Sequence, residues 1–501
     1  MAEQQSTVAT PDARAAEMEQ TWAIVRALLG GTAAMRKAGQ ALLPKWPKED
    51  RESYAQRLAV AVLFPAYQRS VTTLAGKPFS KPVSIGDDVP ARLRGWLDDI
   101  DLEGRNLHAF ASDCMEQALG YGLGGILVDY PDATAAPATA AGVRTEADER
   151  RAGLRPYWVQ VFEWQILGWR AERANGQWRL VQLRLLERVD EPDGDYGMKS
   201  VDQVRVLTPG AWETHRKALV NGAEKWMPYQ SGRTTLGEIP FVPVYGRRLG
   251  FMWGVPPLLE VAYLNAAHWQ SASDQQTLLH TARVPILAAK NVADEQGANG
   301  EVKPWEMVIG SGAAVRITGQ DCDLKYVEHS GKALESGEKD LASLEERMRQ
   351  AGAELLVIDT KLTATQVASE NAVGMCALQR IAQNLEDALD QALDLTAQWV
   401  GETNGGGHVA LFDDYAAATL QEASAQLLLQ ANTAGKISDA TFFGELKRRG
   451  IVGADVGEWE EEKGRIEEQG PSLGALGQGD PAANDGGGQG QQGGTGSGAA
   501  A

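Results

Sequence analysis

Ser330-GKALESGEKDLASLEERMRQAGAELLVIDTKLTATQVASENAVGMCALQRIAQNLEDALDQALDLTAQWV-Gly401 is the stretch around which this chain is organised. It reads as helix, interruption, longer helix. The longer helix carries Leu378, Ile381, Leu385, Ala388, Ala392, Leu395 and Trp399 at alternating spacings of three and four, a heptad seam that calls for another helix along its length. Asp387, Asp390 and Asp394 fall off the seam onto a polar face. The earlier helix sets Leu334, Leu341, Leu344 and Met348 on one side and mixed charge on the others. Between the two lies Ala353–Val367, with β-branched residues, Lys361 and the polar side chains Thr360, Thr363, Thr365 and Gln366. Two readings stay open at this point. One is a helical hairpin in a large core; the other is a long-helix module with a polar loop inserted at its bend.

Working outward, 501 residues suffice for two or more cores, about three domains by length. No apolar run reaches 18 residues, so no membrane-spanning helix is expected. The first residues, MAEQQSTVATPDARAAE, lack the basic and apolar regions of a signal peptide. Cys114, Cys322 and Cys376 are far apart and odd in number, which argues for a reducing compartment and against disulfides or a zinc site. The 48 Lys and Arg against 67 Asp and Glu leave −19. That balance excludes a tight binder of nucleic-acid phosphates, but not a conduit that must avoid sticking to them.

Along the chain, residues 1–12 read as disordered and Asp12–Leu29 as a helix buried through Met18, Trp22, Val25 and Leu29. Asp50–Leu74 reads as one strong helix. Asp98–Gly104 resembles the start of a calcium loop, but Phe110 stands where a bidentate Glu is needed; the acidic run is expected instead to favour the N-terminus of a helix at Leu107–Leu119. From Pro156 to Tyr245 the signal is β, with short strands at Tyr157–Phe162, Trp178–Leu186, Gln203–Leu207, Ala211–His215 and Phe241–Tyr245. A long helix, Leu258–Ala282, precedes a β-like insert at Val284–Val327. Helices are expected at Leu420–Ala434, Asp439–Arg449 and Glu458–Gln469. The last 32 residues hold 12 Gly and no Lys, Arg or aromatic residue, and are expected to be disordered.

Motifs for chemistry are scarce. None of the six histidines has a partner at metal-ligand spacing, and there is no GxSxG, Walker A or HExxH. Gly120-Tyr-Gly122-Leu-Gly124-Gly125 matches GxGxxG, yet it follows a helix and opens a strand, the reverse of a dinucleotide site. Cys114 shares an apolar face with Leu107, Phe110 and Ala118 and reads as core. No catalytic residue, metal or cofactor is assigned, and a structural or assembly protein is favoured over an enzyme.

The chain resembles the portal proteins of tailed bacteriophages, within a portal family labelled only as a domain of unknown function (DUF4055). The resemblance covers most of residues 20–468. It rests on Trp22, Met35-Arg36-Lys37-Ala38-Gly39, Leu42-Leu43-Pro44-Lys45, Tyr54, Arg57, Leu74-Ala75-Gly76-Lys77-Pro78-Phe79, Asp99-Ile-Asp101-Leu-Glu-Gly104 and Gly124-Gly-Ile-Leu-Val-Asp129-Tyr-Pro131. It continues through Arg155-Pro156-Tyr157, Gln203-Val-Arg205-Val-Leu207, Pro256-Pro-Leu258-Leu, Asn265, His268-Trp269-Gln270 and Asp274. It ends with Leu427-Leu-Leu, Gly435-Lys-Ile-Ser438 and Leu446-Lys-Arg-Arg-Gly450-Ile.

The resemblance implies an α+β, multi-domain portal fold with a wing, a long-helix stem, a small β-rich clip and a helical crown. The implied parts are a disordered N-terminus (1–19), wing (20–257), stem helix (258–283), clip (284–329), stem helix (330–352), tunnel loop (353–367), long helix and return to the wing (368–412), crown (413–469) and a disordered Gly-rich tail (470–501). It further implies a homo-dodecamer at one capsid vertex, through which double-stranded DNA passes without sequence specificity. The partners would be the terminase large subunit, a head–tail adaptor, and the major capsid and scaffolding proteins, with no membrane. The location would be the virion, and the host cytoplasm during assembly. In the implied tunnel loop Lys361 is the candidate phosphate contact, with Thr360, Thr363, Thr365 and Gln366 making sequence-blind contacts. In the clip, Lys290, Lys303, Trp305 and Arg316 are the candidate contacts for terminase or adaptor. The rivals are another ring protein of the virion, such as an adaptor or tail component, and a nucleotide-binding enzyme built on Gly120–Gly125. The Gly-rich tail matches no portal element.

Overall fold

The computed structural model describes residues 7–131, 153–283, 286–290, 295–296, 302–303, 321, 323–327, 332–356, 376–413, 429–430, 432–448, 452, 457 and 459–469. The architecture is α+β, and the chain divides into two compact units, 1–413 and 414–501.

The first unit starts earlier than the expected boundary at residue 20. Helix α1 (Ala13–Leu29) begins at Asp12, whose carboxylate accepts from Ala15 N and from Trp169 N. Thr7–Asp12 is held by Arg184, whose Nη1 donates to the carbonyls of Val8 and Thr10 at 2.7 and 2.8 Å. A long-range arginine therefore orders a segment that composition alone reads as disordered.

After α2 (Gly31–Ala38) the expected single helix is two, α3 (Arg51–Val60) and α4 (Ala66–Ala75). Ala61 leaves helical geometry at ψ 135°, and the Arg36 guanidinium takes its carbonyl at 2.9 Å. Pro65 supplies no N–H to continue the ladder. Strand β1 (Ser84–Ile85) and the one-turn α5 (Ala91–Arg94) lead to α6 (Leu107–Tyr121). The cap of α6 is Asn106, through Ala109 N, not the acidic run before it. That run bonds its own loop: Asp101 accepts from the backbone of Glu103 and Arg105, and Asp99 from Gly104.

Strands β2 (Leu123–Asp129) and β3 (Tyr157–Val161) precede a meander of β4 (Ile166–Ala174), β5 (Gln177–Asp193), β6 (Gly197–Thr208), β7 (Ala211–Val220) and β8 (Ala223–Arg233). These five make one antiparallel sheet in chain order. Two turns have left-handed residue pairs, Asn175-Gly176 (φ 51° and 84°) and Asn221-Gly222 (φ 53° and 79°), the geometry of tight hairpins. Strand β9 (Phe241–Tyr245) joins the other side of β2 from β3, giving a three-stranded sheet. A short hairpin of β10 (Arg247–Gly250) and β11 (Trp253–Val255) follows.

Helix α7 (Leu259–Ala282) is next, then the short strands β12 (Ile286–Lys290), β13 (Glu295–Gln296), β14 (Val302–Lys303) and β15 (Asp323–Val327). β12 pairs with β15 and β13 with β14, both antiparallel. Then come α8 (Lys332–Ala353), α9 (Ala377–Trp399) and β16 (Val409–Ala410), which pairs with β1.

The heptad seam of α9 is buried as expected, with Leu378, Leu385, Ala388 and Ala392 all below 3% exposure, but its cover is not one helix. It packs on β9, β2 and α6. The short side chains Ala388 and Ala392 suit a pleated sheet surface as well as a helix. Tryptophans tie the layers: Trp158 Nε1 donates to Thr396 Oγ1 at 2.9 Å, and Trp399 Nε1 to the Val128 carbonyl at 3.3 Å.

The polar face of α9 holds the return strand. Glu386, Asp390 and Asp394 accept from Leu411 N (2.5 Å), Val409 N (2.8 Å) and Gly406 N (2.7 Å). One edge of β16 meets β1 while the other meets carboxylates on one helix face. Gly406 lets the backbone approach, since a Cβ there would lie 2.1 Å from the Leu393 carbonyl carbon.

The second unit contains α10 (Asp439–Arg448) and α11 (Trp459–Gln469), in contact through Phe443 and Trp459 at 5.6 Å. Residues 420–428 of the expected preceding helix, and the Gly-rich tail, lie outside the described residues.

Candidate functional site

Helices α7 and α8 run antiparallel. Side-chain bonds mark the register: Ser271 Oγ donates to Asp340 at 2.8 Å and Gln275 Nε2 to the Leu334 carbonyl at 2.9 Å, while His268 Nε2 faces Glu345 at 3.5 Å. On α8, Leu334, Gly337, Leu341, Leu344 and Met348 repeat at three and four residues, so the partner that a heptad seam calls for is found here. Gly337 is required by contact: a Cβ would stand 2.0 Å from Gln275 Oε1.

The base of α7 is locked to the N-terminal helices by polar side chains. Asn265, wholly buried, accepts from Tyr67 N at 3.0 Å and donates to the Phe64 carbonyl at 2.9 Å, filling the break between α3 and α4. Gln270 donates to the Leu42 carbonyl at 3.0 Å. Asp274 faces Arg57 at 3.7 Å, and Arg57 in turn bonds Glu49 through two contacts of 2.8 Å and covers the Trp46 ring at 4.3 Å. The bond from Arg57 holds the Glu49 carboxyl below its ordinary range, while burial pushes Asp274 up against the opposing pull of Arg57. A long helix of a heptad-paired couple is thus fixed at one end by hydrogen bonds that cannot slide by less than a residue.

The glycine turn after α6 has the opposite character from a ligand cradle. Gly122 has φ 78°, and a Cβ there would meet the Val255 carbonyl carbon at 2.0 Å. A Cβ on Gly124 would meet Gln117, and one on Gly125 would meet Phe241. Protein atoms fill the space a phosphate would take. Cys114 is buried, and burial pushes its thiol up, away from the thiolate that nucleophilic chemistry needs. Among the described residues no group of His, Cys, Asp and Glu could hold a metal, and no helix is long and apolar enough to cross a membrane.

Of the sequence-predicted contacts, Lys290 is exposed at the end of β12, in register with Asp323. Lys303 stands in β14 in register with Glu295. The two lysines are on separate ladders. Trp305 and Arg316, and the loop residues Lys361, Thr360, Thr363, Thr365 and Gln366, lie outside the described residues.

The pairing of α7 with α8, the strands between them and α9 fall within one family match. Residues 257–400 match the domain of unknown function DUF4055. The residues Asn265, Gln270 and Asp274 that lock α7 all belong to this DUF4055 region, and each was visible in the sequence as part of the resemblance, though not as an anchor. Glu49 and Gly337 were not singled out; their signals were an acid eight residues before Arg57 and a glycine at a heptad position. The chain is similar to three solved structures at 14% identity. These are the neck of an empty GTA particle computed with C6 symmetry (TM-score 0.36; 75% of this chain, 88% of that one), the virion of a native gene transfer agent particle (0.35; 83% and 98%), and the neck of a native GTA particle computed with C12 symmetry (0.35; 77% and 89%). No curated protein matches the chain.

Proposed function

We propose that the chain is a phage portal subunit. In this reading copies form a ring at one capsid vertex, the ring is the channel for DNA packaging and ejection, and it docks terminase and the head–tail adaptor. The observation that carries the reading is the extent of the DUF4055 match, which takes in α7, the β insert, α8 and α9 in one run. That is the order in which the resemblance sets stem, clip, stem, tunnel loop and long helix. The fixed base of α7 supports it, because a helix that frames a channel must hold its tilt in every copy. The charge supports it too. Twelve copies at −19 carry −228, and an acidic wall repels phosphates within a Debye length of about 8 Å, so DNA slides instead of adhering. The chain has no catalytic role of its own in this reading; ATP hydrolysis belongs to the terminase.

Native mass spectrometry tests it. A ring of twelve 53.9 kDa chains has a mass of about 647 kDa, and a species there, or one subunit away, is the expected result. A chain that stays monomeric or dimeric at high concentration overturns the proposal. In the same reading Lys361→Glu leaves the ring intact and alters packaging or genome retention; loss of the ring on that change would remove Lys361 from the channel.

A further inference from the structure

Strand β5 is 17 residues long, and at about 3.3 Å per residue its ends are about 50 Å apart. The two ends differ in kind. At the β4–β5 turn and the neighbouring β10–β11 hairpin, residues 169–180 and 247–253 hold five arginines (Arg170, Arg173, Arg179, Arg247, Arg248) and one acid, Glu172. All five arginines are exposed, and none makes an ion pair among the described residues. Arg173 lies over Trp178, which stacks on Phe251 and is 53% exposed. Trp178 and Phe251, with Arg179 and Arg248, line a groove of about 480 Å³, whose lining also carries Glu172, Glu238 and Asp387.

At the other end, residues 189–198 hold Asp190, Glu191, Asp193 and Asp195 and no base. Glu191 is taken by Arg216 at 2.5 Å and Asp190 bonds Ser200, but Asp193 and Asp195 make no ion pair among the described residues. Beside them Tyr196 is fully exposed and Met198 is 66% exposed. An apolar pair next to unpaired acids at a strand tip, and a stacked aromatic pair among unpaired arginines, are complementary in both charge and surface.

We propose that copies of this chain join head to tail, the acidic β5–β6 tip of one copy seating on the arginine–tryptophan shelf of the next. This rests on the ring reading and names its contact. Two different patches meeting in this way make a heterologous interface, the kind that closes into a ring.

The test uses the full chain with charges reversed at one end at a time. Asp193→Lys with Asp195→Lys reverses the tip, and Arg173→Glu with Arg179→Glu reverses the shelf. Each variant is checked for a native far-UV spectrum and weighed by native mass spectrometry. Each alone is expected to lose the ring mass and appear at 53.9 kDa. Mixed in equal amounts they are expected to recover it, because alternating copies restore opposite charge at every junction. As a second measurement, Asp195→Cys mixed with Gln177→Cys should give a linked dimer with a short bis-maleimide, and neither variant alone should. A wild-type ring with both variants still at ring mass and no linked dimer overturns the contact and leaves the ring reading standing. A wild-type chain that never forms a ring overturns both. If the shelf variant keeps the ring but loses binding to an acidic partner or to DNA, the shelf has another occupant and the contact is wrong.

Discussion

Glu163 sits 1% exposed between β3 and β4, with the Arg26 guanidinium 3.4 Å from one oxygen. Arg26 is shared, since Glu19 bonds it more closely at 2.8 and 3.1 Å. Burial therefore prevails over Arg26 and pushes the Glu163 carboxyl up to about 7. A folded value above the unfolded one means that the native state binds the proton more tightly. Stability from this group is fully present below the ordinary glutamate range and is lost as pH rises to about 7. Its size is on the order of 3 kcal/mol. Glu163→Gln is expected to flatten the fall in thermal stability between about pH 4.5 and pH 7; an unchanged slope would show that burial does not raise the Glu163 carboxyl.

Among the elements, the α7–α8 couple depends on a residue with no side chain. Gly337→Leu must displace the Gln275 amide and break its bond to the Leu334 carbonyl, and overpacking of this kind costs about 1–3 kcal/mol. Faster amide exchange over residues 332–353, with α1 and α6 unaffected, is the expected outcome; uniform exchange across the chain would place the damage elsewhere. The same couple shows what the sequence makes legible. Apolar periodicity placed α7 and α8 to within about two residues, because a buried stripe on a helix has a period of its own; residues 368–375, where the start of α9 was expected, lie outside the described residues. It could not name the cover: the α9 stripe lies on a sheet, since a stripe of Ala and Leu satisfies either neighbour. Strand β8 went unread because Lys225, Pro228 and Arg233 make it look like a loop, which is how an edge strand avoids pairing with strangers. Asn221-Gly222 carried the same hairpin signal as Asn175-Gly176. The candidate site was legible in part: Asn265, Gln270 and Asp274 stood out as a pattern, but the groups they meet, the Phe64 and Leu42 carbonyls and the Arg57 guanidinium, are about 200 residues away.

For the whole molecule, every buried apolar residue among those described precedes Asp413. The chain cut after Asp413 is therefore expected to fold with a melting temperature close to that of the full chain. Calorimetry checks this. A fall of more than about 10 °C, several kcal/mol for a domain of this size, would mean that residues 414–501 are part of the core.

The C-terminal end of the first unit has its own mechanical character. Leu411, Val409 and Gly406 are fastened one after another to successive turns of α9, with Leu411 nearest to residue 414. Traction arriving from the second unit meets these fastenings in series, not in parallel. The bond from Gln379 to the Asp413 carbonyl takes the load first, then the bond from Phe412 N to the Pro78 carbonyl and the Glu386 bond, and the Asp394 bond opens only after the others. Such a seam yields by unzipping at modest force and closes again in the reverse order, so the first unit keeps its fold while the second is tugged.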